Sequence, residues 1–366
     1  MTAETAPSSP PEFARAPADH LPGVSSIRFL CALWVFFNHG AWPPVIPNVV
    51  PTSRIAALVH LAYANVWNGP AAVIVFFVIS GLCIHLPFAR SLEPPLLGAF
   101  YSRRLLRLLI PIAVAVPLSR ACGLTGEYFD QGVLWTLKAE LIYYAIYPVL
   151  QRLRVRAGSW WPLVVASYGA ALAVVLTNPL AHFYSSYGTA LNWVLGLPCW
   201  LLGCVLAEAI QTGETRKVSP PQLWVWRGGI VGLAWFCGLL SDVSRVGLPW
   251  TLDVFALPAT AWLEREIHHF RRCEPSALLE WAGEWSYSLY LLHIPMSSLF
   301  AFAAASVHGA WLGWSLLCLF VLTASVLFHL SVERPSHTFA RVTSNWFRAR
   351  YRRSSTSYEP TVRHGA

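Results

Sequence analysis

Long apolar runs separated by short polar gaps set the rhythm of this chain. From residue 24 onward the runs fall at 24–41, 67–88, 104–120, 133–151, 160–177, 191–209, 226–241, 249–263, 285–305 and 311–332. A helix that crosses the hydrocarbon of a bilayer needs about 20 such residues, with shorter ones tolerated. Inside hydrocarbon every backbone N–H and C=O must be paired within the protein, which leaves helices and closed barrels. These runs are too long and too continuously apolar for the alternating strands of a barrel. The pattern predicts an all-α integral membrane protein, a bundle of about ten transmembrane helices. The weakest run is 249–263, which is short and carries Asp253 and Pro258. The longest interior gap, 42–66, is rich in Pro and Val and reads as an outer loop.

Composition agrees. Of 366 residues, 55% are hydrophobic and 12% charged, about half the charge of an ordinary globular domain. The 18 tryptophans and 13 tyrosines suit the headgroup zone of a membrane. The net charge of +8 could point to nucleic acid. The positive residues instead occupy the short gaps. With the N-terminus inside, the inner gaps hold Arg90, Arg152, Arg154, Arg156, Arg216, Lys217, Arg265, Arg271 and Arg272, whereas the outer gaps hold Arg54 and Arg245. This positive-inside bias predicts a multi-pass protein of the cell membrane with both termini cytoplasmic, in contact with lipid and not with nucleic acid. Residues 1–23 read as a disordered cytoplasmic tail, 24–335 as the membrane domain and 336–366 as a basic cytoplasmic tail, with Pro335 stopping the last helix. Most of the eight cysteines lie within apolar runs and behave as small hydrophobes. His268, His269 and Cys273 lack a fourth ligand at sensible spacing, so no metal site is expected.

The polar residues that interrupt the apolar runs are the candidates for chemistry. In GVSSIRFLCALWVFFNHG (residues 23–40), Arg28 and His39 lie eleven positions apart, close to three helical turns, hence on one side and about 16 Å apart along the axis. His39 either serves as a general base or marks the helix end; Asn38 lies beside it. In FYSRRLLRLLIP (residues 100–111), Arg103 and Arg107 share a face and Arg104 adjoins it. Such a cluster suits the phosphates of a nucleotide-bearing donor or anionic lipid. In LWTLKAELIYYAIYP (residues 134–148), Glu140 cannot pair with Lys138 two positions away. It needs a partner from another helix, an arginine or His39, in a catalytic or a structural role. In WAGEWSYSLYLLHIP (residues 281–295), Ser286, Tyr290 and His293 form a polar stripe with Tyr287 beside it. The stripe lines a pocket or joins helices. Ser80 and Gly81 in FFVISG permit close helix packing or a bend, and Glu333 and Arg334 in HLSVERP anchor a helix end.

The order of these pieces resembles the acyltransferase 3 family of multispanning membrane O-acyltransferases. SSIRFLCALWVFFNHG, AAVIVFFVISGLCI, FYSRRLLRLLIP, WTLKAELIYYAIYP, AGEWSYSLYLLHIP and FHLSVERP together span residues 25–335. The resemblance implies His39 as catalytic base with Arg28 and Glu140 assisting, and Arg103, Arg104 and Arg107 as donor-binding residues. Asn38, Ser286, Tyr287, Tyr290 and His293 are the expected substrate-pocket residues. It departs from the commoner family pattern in the first motif and at Lys138 and the Tyr143–Tyr144 pair. The implied reaction is transfer of an acyl group, acetyl being the simplest, from acyl-CoA as co-substrate to a hydroxyl of a glycan or small-molecule acceptor, with no permanently bound cofactor. The alternative is a multispanning transporter, which also uses central polar groups, although no internal repeat supports it.

Overall fold

The computed structural model describes residues 21–46, 53–92, 94–124, 130–211, 218–303 and 309–356. Helices dominate, and there is no strand among the described residues. We number them α1 (Val24–Asn38), α2 (Arg54–Val66), α3 (Gly69–His85), α4 (Leu97–Ala121), α5 (Trp135–Ala157), α6 (Trp161–Thr177) and α7 (Gly188–Ala209). They continue as α8 (Pro220–Val243), α9 (Leu248–Phe270), α10 (Ala277–Glu284), α11 (Ser286–Ala303), α12 (Ala310–Phe328) and α13 (Arg334–Thr356). Short π-helical turns at Asp130–Leu134 and His329–Glu333 lead into α5 and α13.

Five stretches are long and apolar enough to cross a membrane: Arg54–Phe88, Gly132–Ala157, Tyr184–Ala209, Pro220–Val243 and Ala310–Tyr351. Helices α1 and α6 are apolar but shorter. The all-helical expectation holds, while by length and composition five spans are supported rather than about ten. Two of the other helices carry too much charge to qualify: α4 holds Arg103, Arg104, Arg107 and Arg120, and α9 holds Asp253, Glu264, Arg265 and Glu266.

Three local readings change. The gap at 42–66 contains α2, opened by Ser53, whose Oγ accepts from the Ala56 N–H at 3.1 Å. The prolines before it masked the apolar stretch that follows. The short run at 249–263 lies within the 23-residue α9, and its buried Asp253 accepts from the Tyr184 hydroxyl at 3.0 Å. Pro335 does not stop the chain's helical course. It follows the π-helical turn His329–Glu333 inside one helical stretch running from Ala310 to Tyr351, and such a turn is where a helix accommodates an irregular residue. Nor does Glu333 merely mark an end: it is fully buried, accepting from Ser288 Oγ at 2.6 Å and His329 Nδ1 at 3.0 Å.

Helix α3 forms the centre. It is apolar all round and buried along most of its length, as a helix surrounded by others must be. It approaches α7 until backbones touch. A Cβ on Gly81 would lie 1.9 Å from the Trp200 carbonyl oxygen, and one on Gly203 would lie 2.0 Å from that of Val78. Small residues let helices pack this closely where lipid supplies no hydrophobic drive between them. At the end of α3, fully buried His85 sits 3.0 Å from the Tyr147 hydroxyl and accepts from Trp160 Nε1 at 3.0 Å. This knot ties α3 to α5 and α6.

Candidate active site

A cavity of about 570 Å³ opens between α1, α3, α4, α5, α11 and α13. Its walls include Arg28, Arg103, Arg104, Arg107, Glu140, Ser286, Tyr287 and Tyr290. Residues scattered over more than 250 positions of sequence thus meet in one enclosure. Helical periodicity brings them there: the α4 arginines face it from successive turns, and Ser286, Tyr287 and Tyr290 line up on α11.

Glu140 finds its partners on α3 and α5. It accepts from Ser80 Oγ at 2.8 Å and from the Tyr144 hydroxyl. Ser80 Oγ in turn accepts from Trp200 Nε1 at 3.2 Å. A carboxylate fixed by two hydroxyls is a rigid anion on the wall of a basic cavity. Arg104 donates to the Cys83 carbonyl at 3.1 Å, which orients its guanidinium. On α11, Ser286 Oγ donates to the Gly283 carbonyl at 2.8 Å and the Tyr287 hydroxyl to the Leu108 carbonyl at 3.1 Å. Ser80, Thr136 and Tyr144 also line the cavity. In the sequence Tyr144 stands out only as a departure from the commoner family pattern, and Thr136 carries no signal.

His39, His293 and Asn38 are not part of this lining. His39 caps α1, and its Nδ1 lies 2.9 Å from the Val35 carbonyl and 3.2 Å from His293 Nε2. His293 Nδ1 lies 2.8 Å from the Tyr290 carbonyl. Carbonyl oxygens only accept, so each Nδ1 is assigned the proton. His293 Nε2 is then bare and accepts from His39 Nδ1–H. That leaves His39 Nε2 with a lone pair directed away from both partners. Nearby is Gly132, where a Cβ would come within 3.8 Å of that nitrogen and 2.9 Å of Ile294 Cδ1. The expected partner of Glu140 was an arginine or His39; its hydrogen-bond partners are Ser80 and Tyr144, and the ring beside His39 is that of His293.

Between cavity and histidines stand Thr136 and Tyr290, whose hydroxyls are 2.6 Å apart. Thr136 Oγ1 donates to the Val133 carbonyl at 2.9 Å, so the Tyr290 hydroxyl is the donor of the pair. Asn38 does other work. Its Oδ1 accepts from the Gly69 N–H at 2.9 Å, a donor shared with the Trp67 carbonyl at 2.8 Å. It joins two helices and does not face the cavity.

A helical, largely apolar protein with a basic internal cavity and a bare imidazole nitrogen beyond it has the parts of a group-transfer enzyme. The group is acyl. The chain belongs to the acyltransferase 3 family: the profile described as an acyltransferase domain matches residues 21–330. Among characterised proteins it is similar to the acyltransferase MdmB of Streptomyces mycarofaciens, with 26% identity over 323 residues, covering 75% of this chain and 78% of that one. It is also similar to nodulation protein 10 of Rhizobium leguminosarum bv. viciae, with 23% identity over 215 residues, covering 58% of this chain and 57% of that one. No solved structure matches it.

Proposed function

We propose that this acyltransferase moves an acyl group, acetyl in the simplest case, from acyl-CoA to a hydroxyl of a carbohydrate or small-molecule acceptor, with His39 as general base. The observation that carries the reading is the pairing of a polyanion-sized basic cavity with a histidine whose Nε2 has no hydrogen-bond partner among the described residues. The nucleotide end of the donor rests against Arg103, Arg104 and Arg107, where guanidiniums meet phosphate through charge-assisted bonds. The pantetheine arm points along the cavity toward Thr136 and Tyr290. These side chains must part for the thioester to approach His39.

His39 Nε2 takes the acceptor's proton as its oxygen attacks the thioester carbonyl. The C–S bond then breaks, and the proton on His39 returns to the departing thiolate. His293 Nε2, accepting from His39 Nδ1–H, stabilises the imidazolium in the role a carboxylate fills in hydrolytic triads. Tyr290, released from Thr136 as the side chains part, supplies a hydrogen bond to the developing oxyanion. Arg28 and Glu140 act at the donor end, on the charge of the cavity. In the cell membrane the arginine end of the cavity faces the cytoplasm, where acyl-CoA is made.

The reading is tested by incubating purified protein with acetyl-CoA labelled in the acetyl group and a panel of hydroxyl-bearing glycans and small molecules, then identifying products by mass. Acetylated product and free CoA in equal amounts are expected. Labelled solute moved across a vesicle membrane with no product formed would overturn it.

A further inference from the structure

Helix α13 lies beyond the stretch matched by the family profile, yet His337, Ala340 and Arg341 form part of the cavity wall. The helix is held there by specific contacts with α4. Ser344 Oγ donates to the Ala99 carbonyl at 2.9 Å. The Phe347 ring fills the space beside Gly98, where a Cβ would come within 2.7 Å of it. These two contacts run in opposite chain directions, so α13 and α4 are antiparallel. One turn further, the same register sets Arg341 level with Arg103; one more sets His337 level with Arg107. Arg107 and Arg28 are electrostatic neighbours of His337.

Charge explains why this matters. Among the described lining residues five guanidiniums, those of Arg28, Arg103, Arg104, Arg107 and Arg341, face the single carboxylate of Glu140. Like charges gathered where water is scarce repel strongly unless an anion lies between them. Behind them, Glu333 Oε1 lies 3.6 Å from His337 Nε2, and both atoms are buried without a hydrogen-bond partner among the described residues. The buried carboxylate holds the His337 ring at the wall with polar capacity unspent.

We infer that α13 completes the donor site, with Arg341 binding a phosphate of the donor and Glu333 acting as a positioning residue for His337. This rests on the acyl-CoA reading above. A cavity ringed by guanidiniums from three helices suits a donor with several phosphates better than a simple thioester.

The test uses the purified full-length protein, with CoA affinity measured by calorimetry and acetyl-CoA turnover measured alongside. R341A is expected to weaken CoA binding and raise the KM for acetyl-CoA about tenfold, the worth of one charge-assisted contact, with kcat and unfolding temperature kept. R341K should recover part of the affinity, and wild-type affinity should fall more steeply with salt than that of R341A. Arg350 lies nine positions further on, on the opposite side of α13, and its guanidinium stacks on Trp346. R350A should therefore leave both measurements unchanged. CoA affinity of R341A within twofold of wild type would overturn the inference, as would parallel losses of kcat and thermal stability. Wild-type protein that neither binds CoA nor uses acetyl-CoA would instead overturn the donor assignment itself.

Discussion

Replacing Glu140 separates two tasks that one carboxylate performs. In Glu140→Ala, the Ser80 and Tyr144 hydroxyls lose their acceptor. Hydrogen bonds to charged groups are worth about 1.5–3 kcal/mol each, whereas those measured between membrane helices average about 0.6 and reach about 1.7 kcal/mol. Two bonds near the overlap of these ranges give a loss of about 3 kcal/mol. At about 2 °C per kcal/mol for a chain of this size, the unfolding temperature should fall by about 6 °C. Glu140→Gln keeps an acceptor oxygen and should lose about 2 °C or less on the same scale. It also removes the one carboxylate among the described lining residues from a ring of guanidiniums, so acetyl-CoA should bind as tightly as to wild type or more tightly. Thermal unfolding of the purified proteins in one detergent, followed by calorimetric titration with CoA, reads both effects. Alanine and glutamine variants equally destabilised, or an alanine variant as stable as wild type, would refute the account of Glu140.

Other substitutions probe the rest of the framework. Gly81→Ala must push α3 from α7, because the added methyl would overlap the Trp200 carbonyl; monodisperse protein should be largely lost on size-exclusion chromatography. Arg107→Ala should raise the KM for acetyl-CoA by about tenfold to a hundredfold while the protein stays folded, as steady-state kinetics would show. Gly132→Val should crowd His39 Nε2 and Ile294, lowering kcat by more than it alters CoA affinity.

The parts of the site that could be read in the sequence are those hydrocarbon makes conspicuous. Arg28, the α4 arginines, Glu140 and the α11 hydroxyls interrupt apolar runs, and the cavity collects them. Periodicity placed Ser286, Tyr290 and His293 on one stripe but could not say where the cavity ended; Tyr290 is on its wall and His293 behind it. Asn38 adjoins His39 in sequence yet turns to the start of α3, a direction that spacing does not reveal. Helix α2 was hidden behind Pro43, Pro44, Pro47 and Pro51. The contribution of α13 was hidden for a different reason: its arginines look like a solvated tail until packing against α4 turns Arg341 and His337 inward. The assignment of the lone pair to His39 Nε2 rests on two carbonyls and a second imidazole, and only three-dimensional contact defines it.

The central claim is that His39 Nε2 removes the acceptor's proton while the donor is held elsewhere. Acetyl transfer from labelled acetyl-CoA by purified His39→Ala, set beside its calorimetric affinity for CoA, tests this directly. The account predicts a fall in kcat of about 10²–10⁴-fold, the usual worth of a general base, with CoA affinity unchanged. Transfer at the wild-type rate would contradict it.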